Sequence, residues 1–416
     1  MRDRPSRSAL STVGSEQARQ LRRRRARDRV RRQRLVVAAV LAMLALSALV
    51  WNTTGGEPGD AITAEAANPD PGVTPAASTG GASPQGLYAH TGAGRLAPST
   101  RDDRERIYVP NSGSDTVSVI DPAAAKVVDT FPVGDLPHHV TPSRDMRTFY
   151  GNNTQGNSLT PIDPETAMPN GRPIPVDDPY NLYFTPDGRS AIVVAERLQR
   201  PDFRDPKTWK LQKSLRVGCL GVDHMDFSAD GRRAVVSCEF DGTLLLVDVG
   251  ERRVVQELDL DHVAAKPVDV RISPDGRLFY VADEVANGVW KVDAERFRVT
   301  DFIETGRGTH GLYPSRDASV MYATNRIGST VSVIDMDQEK VTATWRIPDG
   351  ASPDMGGVSA DGKRLWLSGR YDSEVYALDT EDGKLRARIP VGAGAHGMLV
   401  WPQPGRYSLG HTGNMR

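Results

Sequence analysis

The residues able to do chemistry fall at one recurring place. Of the eight histidines in this 416-residue chain, five stand at the start of short apolar runs: "PHHV" (His138, His139), "VDHM" (His224), "THGL" (His310) and "AHGM" (His396). Asn181, Asp223, Asp269 and Asp354 occupy the same place in this or other runs, and a sixth histidine, His411, lies near the C-terminus. A second polar set comes after the next run along: Asn111, Asn153, Glu196, Arg197, Glu239, Asp283, Glu284, Asn325, Arg326 and Arg370. Imidazoles and carboxylates drawn from several runs could hold a divalent metal ion, with Glu196, His224, Glu239, Asp269 and Asp283 the set to test. Arg326 and Arg370 could instead clamp a carboxylate or phosphate without metal. The plain alternative is that these groups cap backbone and hold water in a channel.

What could bring such scattered residues together is a repeat. "TVSVID" occurs at Thr116 and again at Thr330, and an Asp closes weaker copies between and beyond them: Asp121, Asp163, Asp205, Asp248, Asp293, Asp335 and Asp379, spaced by 42 to 45 residues. In phase with it run "TPSRD", "TPDGR", "SADGR", "SPDGR", "PSRDA" and "SADGK", which carry the turn chemistry of hairpins. Each unit reads as four short runs rich in Val, Ile, Phe, Tyr and Trp, with no helical periodicity. Seven units of four antiparallel strands predict an all-β, seven-bladed β-propeller over residues 101–416. The first unit lacks an inner strand and "HGMLVW" near the C-terminus is one left over, so the last strand should complete the first blade.

Antiparallel pairing then sets the site. Loops that enter inner strands and loops that leave second strands emerge on one side of the disc, around the central channel. His138, His139, Asn181, Asp223, His224, Asp269, His310, Asp354, His396, Arg326 and Arg370 are therefore the candidate ligand-binding residues of a funnel mouth. Acids gather on blades three to five, and Arg with His on blades six, seven and one. The Asp that ends each repeat is read as a cap on its own turn, and Trp209, Trp290, Trp345 and Trp366 as core or blade surface. His411 is placed at the seam, where its "HTG" and the earlier "HTG" after Ala89 should pack.

With "YVPN", "YVAD" and "YATN", the chain resembles the YVTN-repeat β-propellers from about Arg106 to Trp401, best in blades one and six and worst in blade three. The resemblance implies the propeller fold and leaves the chemistry open, since such propellers include surface-layer, periplasmic binding and lactonase-like proteins.

Ahead of the repeats, residues 1–34 form a basic tail ending in "RRRRARDRVRRQR", and residues 35–51, "LVVAAVLAMLALSALVW", carry no charge. As a helix the apolar run spans roughly 26 Å, which predicts a transmembrane signal-anchor with a cytoplasmic N-terminus and an extracytoplasmic propeller. A cleaved signal peptide is the rival, and a nucleic-acid-binding tail is set aside because the apolar run comes directly after the arginines. Residues 52–100, rich in Gly, Ala, Pro, Ser and Thr, read as a flexible linker. The two cysteines, Cys219 and Cys238, fall at one end of blade four; a disulfide, two buried thiols and metal ligation with His224 all fit.

Net charge is −1, and the chain has no phosphate loop, no "CxxCH" and no Gly-x-Ser-x-Gly elbow. The leading expectation is thus a non-enzymatic, membrane-tethered module that binds a small molecule or a cell-envelope protein, with no nucleic acid and no assured cofactor, a divalent metal ion being the one candidate. A lactonase-like metal-dependent hydrolase is the alternative, and an electron-transfer or cofactor partner ranks third.

Overall fold

A computed structural model describes residues 86–416 apart from 261 and 263. The tail, the apolar run and most of the linker lie outside the described residues. Among those described, no helix is long and apolar enough to cross a membrane.

Seven antiparallel sheets succeed one another along the chain. Blade one takes its inner strand from Leu399–Trp401, which pairs with Arg106–Asn111, and continues with Thr116–Asp121 and Lys126–Pro132. The last strand therefore closes the ring, as its missing partner predicted, and Ile107 and Ile120 pack with Trp366 and Ile389 of blade seven across the seam. Blade three is complete despite its blurred sequence, with Arg200–Arg204 and Leu211–Ser214 as its outer strands. In blade two the outer strand is broken into Met168–Pro169 and Ile174–Pro175, where Pro169, Pro173 and Pro175 remove ladder donors.

Each repeat Asp does cap its own turn. Asp121 Oδ1 accepts from the backbone of Ala123 and Ala124, and Asp205, in the least regular blade, accepts from Lys207 and Thr208 in the same way. The "N" of the tetrapeptide has a structural role too. Asn111, Asn153 and Asn325 each donate from Nδ2 to two hydroxyls on the next strand, at 2.9–3.1 Å. Cys238 stands at the corresponding position of blade four, where it forms a disulfide with Cys219.

The inner strands hold the feature that matters most for the channel. In blades two to seven the register slips next to the first residue of the strand: His138 and Tyr180 are left out of the ladder in blades two and three, and Asp223–His224, Val268–Asp269, His310–Gly311 and Asp354–Met355 in blades four to seven. A bulge re-aims side chains that strict alternation would send to opposite faces. Neighbouring residues such as His138 and His139 can then both reach the axis.

Two expectations need correcting. Residues 86–100, assigned from composition to the linker, are part of the fold: Tyr88 donates to the Ile272 carbonyl, Leu87 N to Pro274, and Gly94 N to Ala360. A few anchoring contacts outweigh a loop-like composition. The two "HTG" segments do come near each other, since Thr91, Thr412 and Gly413 line one cavity with Arg271 and Tyr313, but not at the strand pairing that closes the ring. His90 is exposed, while His411 is fully buried on a C-terminal segment, residues 403–416, that crosses the hairpin-turn face and enters the channel against blades three to five.

Candidate functional site

Six imidazoles fill the axis. His138, His139, His310 and His396 form one run of ring contacts at 5.0–6.4 Å, and His224 and His411 join it at 4.5 Å from each other and 5.7 and 5.6 Å from His139. Gly397 permits the approach of blade one, since a Cβ there would sit 1.9 Å from His139 Cδ2. Burial drives all six rings well below the usual histidine range, His139 to about 4, with neighbouring Arg and His charges adding to the effect in several of them. At neutral pH the axis is lined by neutral imidazole.

Fixed oxygens orient the rings. His138 Nδ1 lies 2.7 Å from Thr154 Oγ1, and His139 Nδ1 donates to the Tyr180 carbonyl at 2.8 Å. Asp354 meets His396 Nδ1 at 2.5 Å, His310 Nδ1 at 3.1 Å and Arg326 Nη1 at 3.3 Å. Asn181 Nδ2 donates to Nδ1 of both His224 and His411 at 3.0 Å.

Above this layer the mouth is a chain of charges across blades four to seven. Lys266 Nζ bridges Glu239 at 2.9 Å and Glu284 at 2.7 Å, Arg326 joins Glu284 at 2.9 Å to Asp354, and Arg370 donates to Ser112 and the Gly394 carbonyl. Both arginines offered as an anion clamp therefore already have partners. Burial, reinforced by Glu239 and Asp178, raises Glu196 to about 7; burial also raises Glu239 and lifts Asp223 well above the carboxylate range. Neither Asp223 oxygen has a hydrogen-bond partner among the described residues.

The five residues selected as metal ligands are not brought together as such. Asp283 accepts from the backbone of Lys266, Val285 and Ala286 and from Trp290 Nε1, and Asp269 from the backbone of Val270 and Leu312. Glu239 holds Lys266, and His224 joins two other imidazoles instead of the acids. Asp269 and Asp283 are consumed by backbone donors that a sequence does not display.

Sequence reasoning missed three things here. Lys266 lies one residue before the inner strand of blade five and was within reach of the same positional argument. His411 was seen, but its path from the far face was not. The third is a crown. One position in the loop leaving the second strand holds Phe240, Val285, Ile327 and Tyr371 on blades four to seven, and these are 42–69% exposed; on blade three Arg197 stands there, with Leu198, 41% exposed, one residue later. Blades one and two have Gly113 and Gln155 there. The mouth cations lie against this crown: Lys266 Nζ is 5.9 Å from the Phe240 ring centre and the Arg326 guanidinium 5.7 Å from that of Tyr371.

Closed ring, clasped blades and a histidine-filled axis define a seven-bladed repeat propeller of the kind the tetrapeptides suggested. The chain belongs to the YNCE-like β-propeller family, whose description matches residues 93–405. A search of the curated proteins finds no relative. Solved structures similar to it include a putative 6-phosphogluconolactonase from Bacteroides uniformis (15% identity, TM-score 0.59, 72% of this chain and 99% of that one). Dihydro-heme d1 dehydrogenase NirN is another (15% identity, TM-score 0.57, 76% and 79%), as is apo AztD from Citrobacter koseri (13% identity, TM-score 0.52, 71% and 97%). At these identities the likeness is one of fold, and fold does not fix chemistry.

Proposed function

We propose that this propeller is a binding module that receives a ligand or a cell-envelope partner at its mouth, with no catalytic role. The crown carries the reading. Scattered exposed apolar residues are ordinary, but one loop position that is apolar and exposed on four consecutive blades around a polar mouth is a recurring rim of the kind that marks binding sites. Near it Asp223 has no hydrogen-bond partner among the described residues and is raised by the neighbouring Glu239 and Glu196, so an occupant with an apolar body and a positively charged group would supply what the mouth lacks.

The hydrolase alternative has less support, because Asp269 and Asp283 are engaged by backbone donors and Glu239 by Lys266. Extracytoplasmic display is supported by the Cys219–Cys238 bond, which suits an oxidising compartment, and by the charge-free run after the arginines.

The test is retention of a detergent-solubilised envelope extract on the immobilised full chain, wild type against a Phe240→Glu/Ile327→Glu double variant. A species held by the wild type and lost at least about tenfold by the double variant is expected, with unchanged melting because both positions are exposed. Equal retention by both proteins, or turnover of a lactone or ester abolished by His138→Ala, would overturn the reading.

A further inference from the structure

Below the mouth, the axial histidines split into two groups. His310 and His396 are tied by Asp354. His139, His224 and His411 are fully buried and bring one ring nitrogen each within 4.8 Å of the others. Each ring of this trio has one nitrogen near an oxygen. His139 Nδ1 donates to the Tyr180 carbonyl at 2.8 Å, His224 Nε2 is 3.2 Å from Asp223 Oδ1, and His411 Nε2 is 3.3 Å from Asp269 Oδ1. The other nitrogens are His139 Nε2 and the Nδ1 atoms of His224 and His411. The last two converge on one electropositive group, the Asn181 amide, each at 3.0 Å. His139 Nε2, His224 Nε2 and His411 Nε2 are all buried with no hydrogen-bond partner among the described residues, a costly state for polar atoms in a packed interior.

We infer that His139, His224 and His411 form a binding site for a divalent first-row transition ion, Zn2+ or Cu2+, assembled from both ends of the channel and completed by the protein's own C-terminal segment. Three neutral imidazoles favour these ions over Mg2+ or Ca2+, which take oxygen. An outer carboxylate or carbonyl on each ring is the arrangement that orients metal-bound histidine and strengthens it as a donor. In the metal-free state the Asn181 amide occupies part of the place the ion would take, and its rotation would free both Nδ1 atoms. The trio differs from the residues the sequence suggested, and it is separate from the crown on which the binding-module reading rests.

Because His411 belongs to the tail, the ion would also pin residues 403–416 to the propeller. The experiment uses the full chain, stripped with a chelator and freed of any affinity tag, titrated with Zn2+ against a competing chromophoric chelator, with Mg2+ as control. Parallel hydrogen exchange reads the peptides covering 403–416. One equivalent of Zn2+ should bind, Mg2+ should not, and tail exchange should slow. His411→Ala and His139→Ala should each weaken binding by at least about tenfold, whereas His310→Ala should not. If a variant fails to fold, Co2+ bound to the wild type gives an independent reading, since nitrogen ligation in a low-coordinate site produces intense visible bands. Absence of stoichiometric binding, binding unaffected by His411→Ala, a Co2+ spectrum of the hydrated ion, or unchanged tail exchange would each overturn the proposal. The Phe240→Glu/Ile327→Glu variant should bind Zn2+ normally, so failure at the mouth and failure at the trio are distinguishable.

Discussion

Asp223 and Asp226 sit three residues apart on one inner strand, and both are buried, yet they lead opposite lives. At the hairpin-turn end, Asp226 accepts from the backbone of Phe227 and Ile272, from Asn414 Nδ2, and from Arg416 at 2.9 and 3.1 Å. At the mouth end, Asp223 has no hydrogen-bond donor among the described residues and is raised well above the carboxylate range by burial and the neighbouring Glu239 and Glu196. One end of the channel is closed with the chain's own C-terminal segment; the other is left electrostatically incomplete. Incompleteness inside a stable scaffold is where a ligand gains most, because its groups replace contacts the fold does not make.

Removing Asp226 should break the closed end hardest. Asp226→Ala strands the buried Arg416 guanidinium, which also lies 5.1 Å from the Tyr88 ring, and leaves two backbone donors without acceptors. Loss of one partner of a buried ion pair costs about 3–5 kcal/mol. Urea unfolding of Asp226→Ala against wild type measures it; a loss under about 1 kcal/mol would mean that the tail does not close the channel.

The open end should show itself in pH dependence. Glu196 is raised to about 7, and Glu239 and Asp223 are raised as well, so the folded state holds more protons than the unfolded chain between pH 4.5 and 7. Stability from these groups is therefore present at low pH and lost as pH rises through about 7. After allowance for solvent at the mouth, Glu196 accounts for on the order of 1–2 kcal/mol of that fall. Denaturation of Glu196→Gln at pH 5 and pH 7.5 should show a flatter profile than wild type, and parallel profiles would refute the assignment.

The contrast between the two ends also explains what the sequence could and could not disclose. Blade number, ring closure and the Asp caps come from local periodicity and turn chemistry, which repeat in phase and are visible one blade at a time. The axis is different. Whether His138 and His139 both face it depends on a bulge that no residue type announces, and His411 reaches it along a tail with no periodic signal. Asp269 and Asp283 look like ligands among the acids of the sequence but prove to be backbone acceptors, because donors are set by the register of neighbouring strands. Even the crown was readable only once the loops were known to share a rim.

The smallest effect lies in the hairpin turns, where the closed face is built. In four blades the turn puts a glycine at positive φ, Gly188, Gly231, Gly276 and Gly362, but blade six has Ala318 there at φ 56° and blade two Met146 at 63°. The bonding is kept despite the change: Ser315 donates to Asp317 at 2.6 Å, as Ser273 does to Asp275. A left-handed alanine costs about 1 kcal/mol or somewhat more, against which glycine loosens the unfolded chain by up to about 1 kcal/mol, so Ala318→Gly should stabilise by about 0.5 kcal/mol. Met146→Gly should do the reverse, since that side chain is buried with Phe149 and Trp401 and its removal empties core. Opposite signs by thermal denaturation would show that the turn geometry is imposed by the ring and merely tolerated by these residues; equal signs would mean that the two turns are not equivalent.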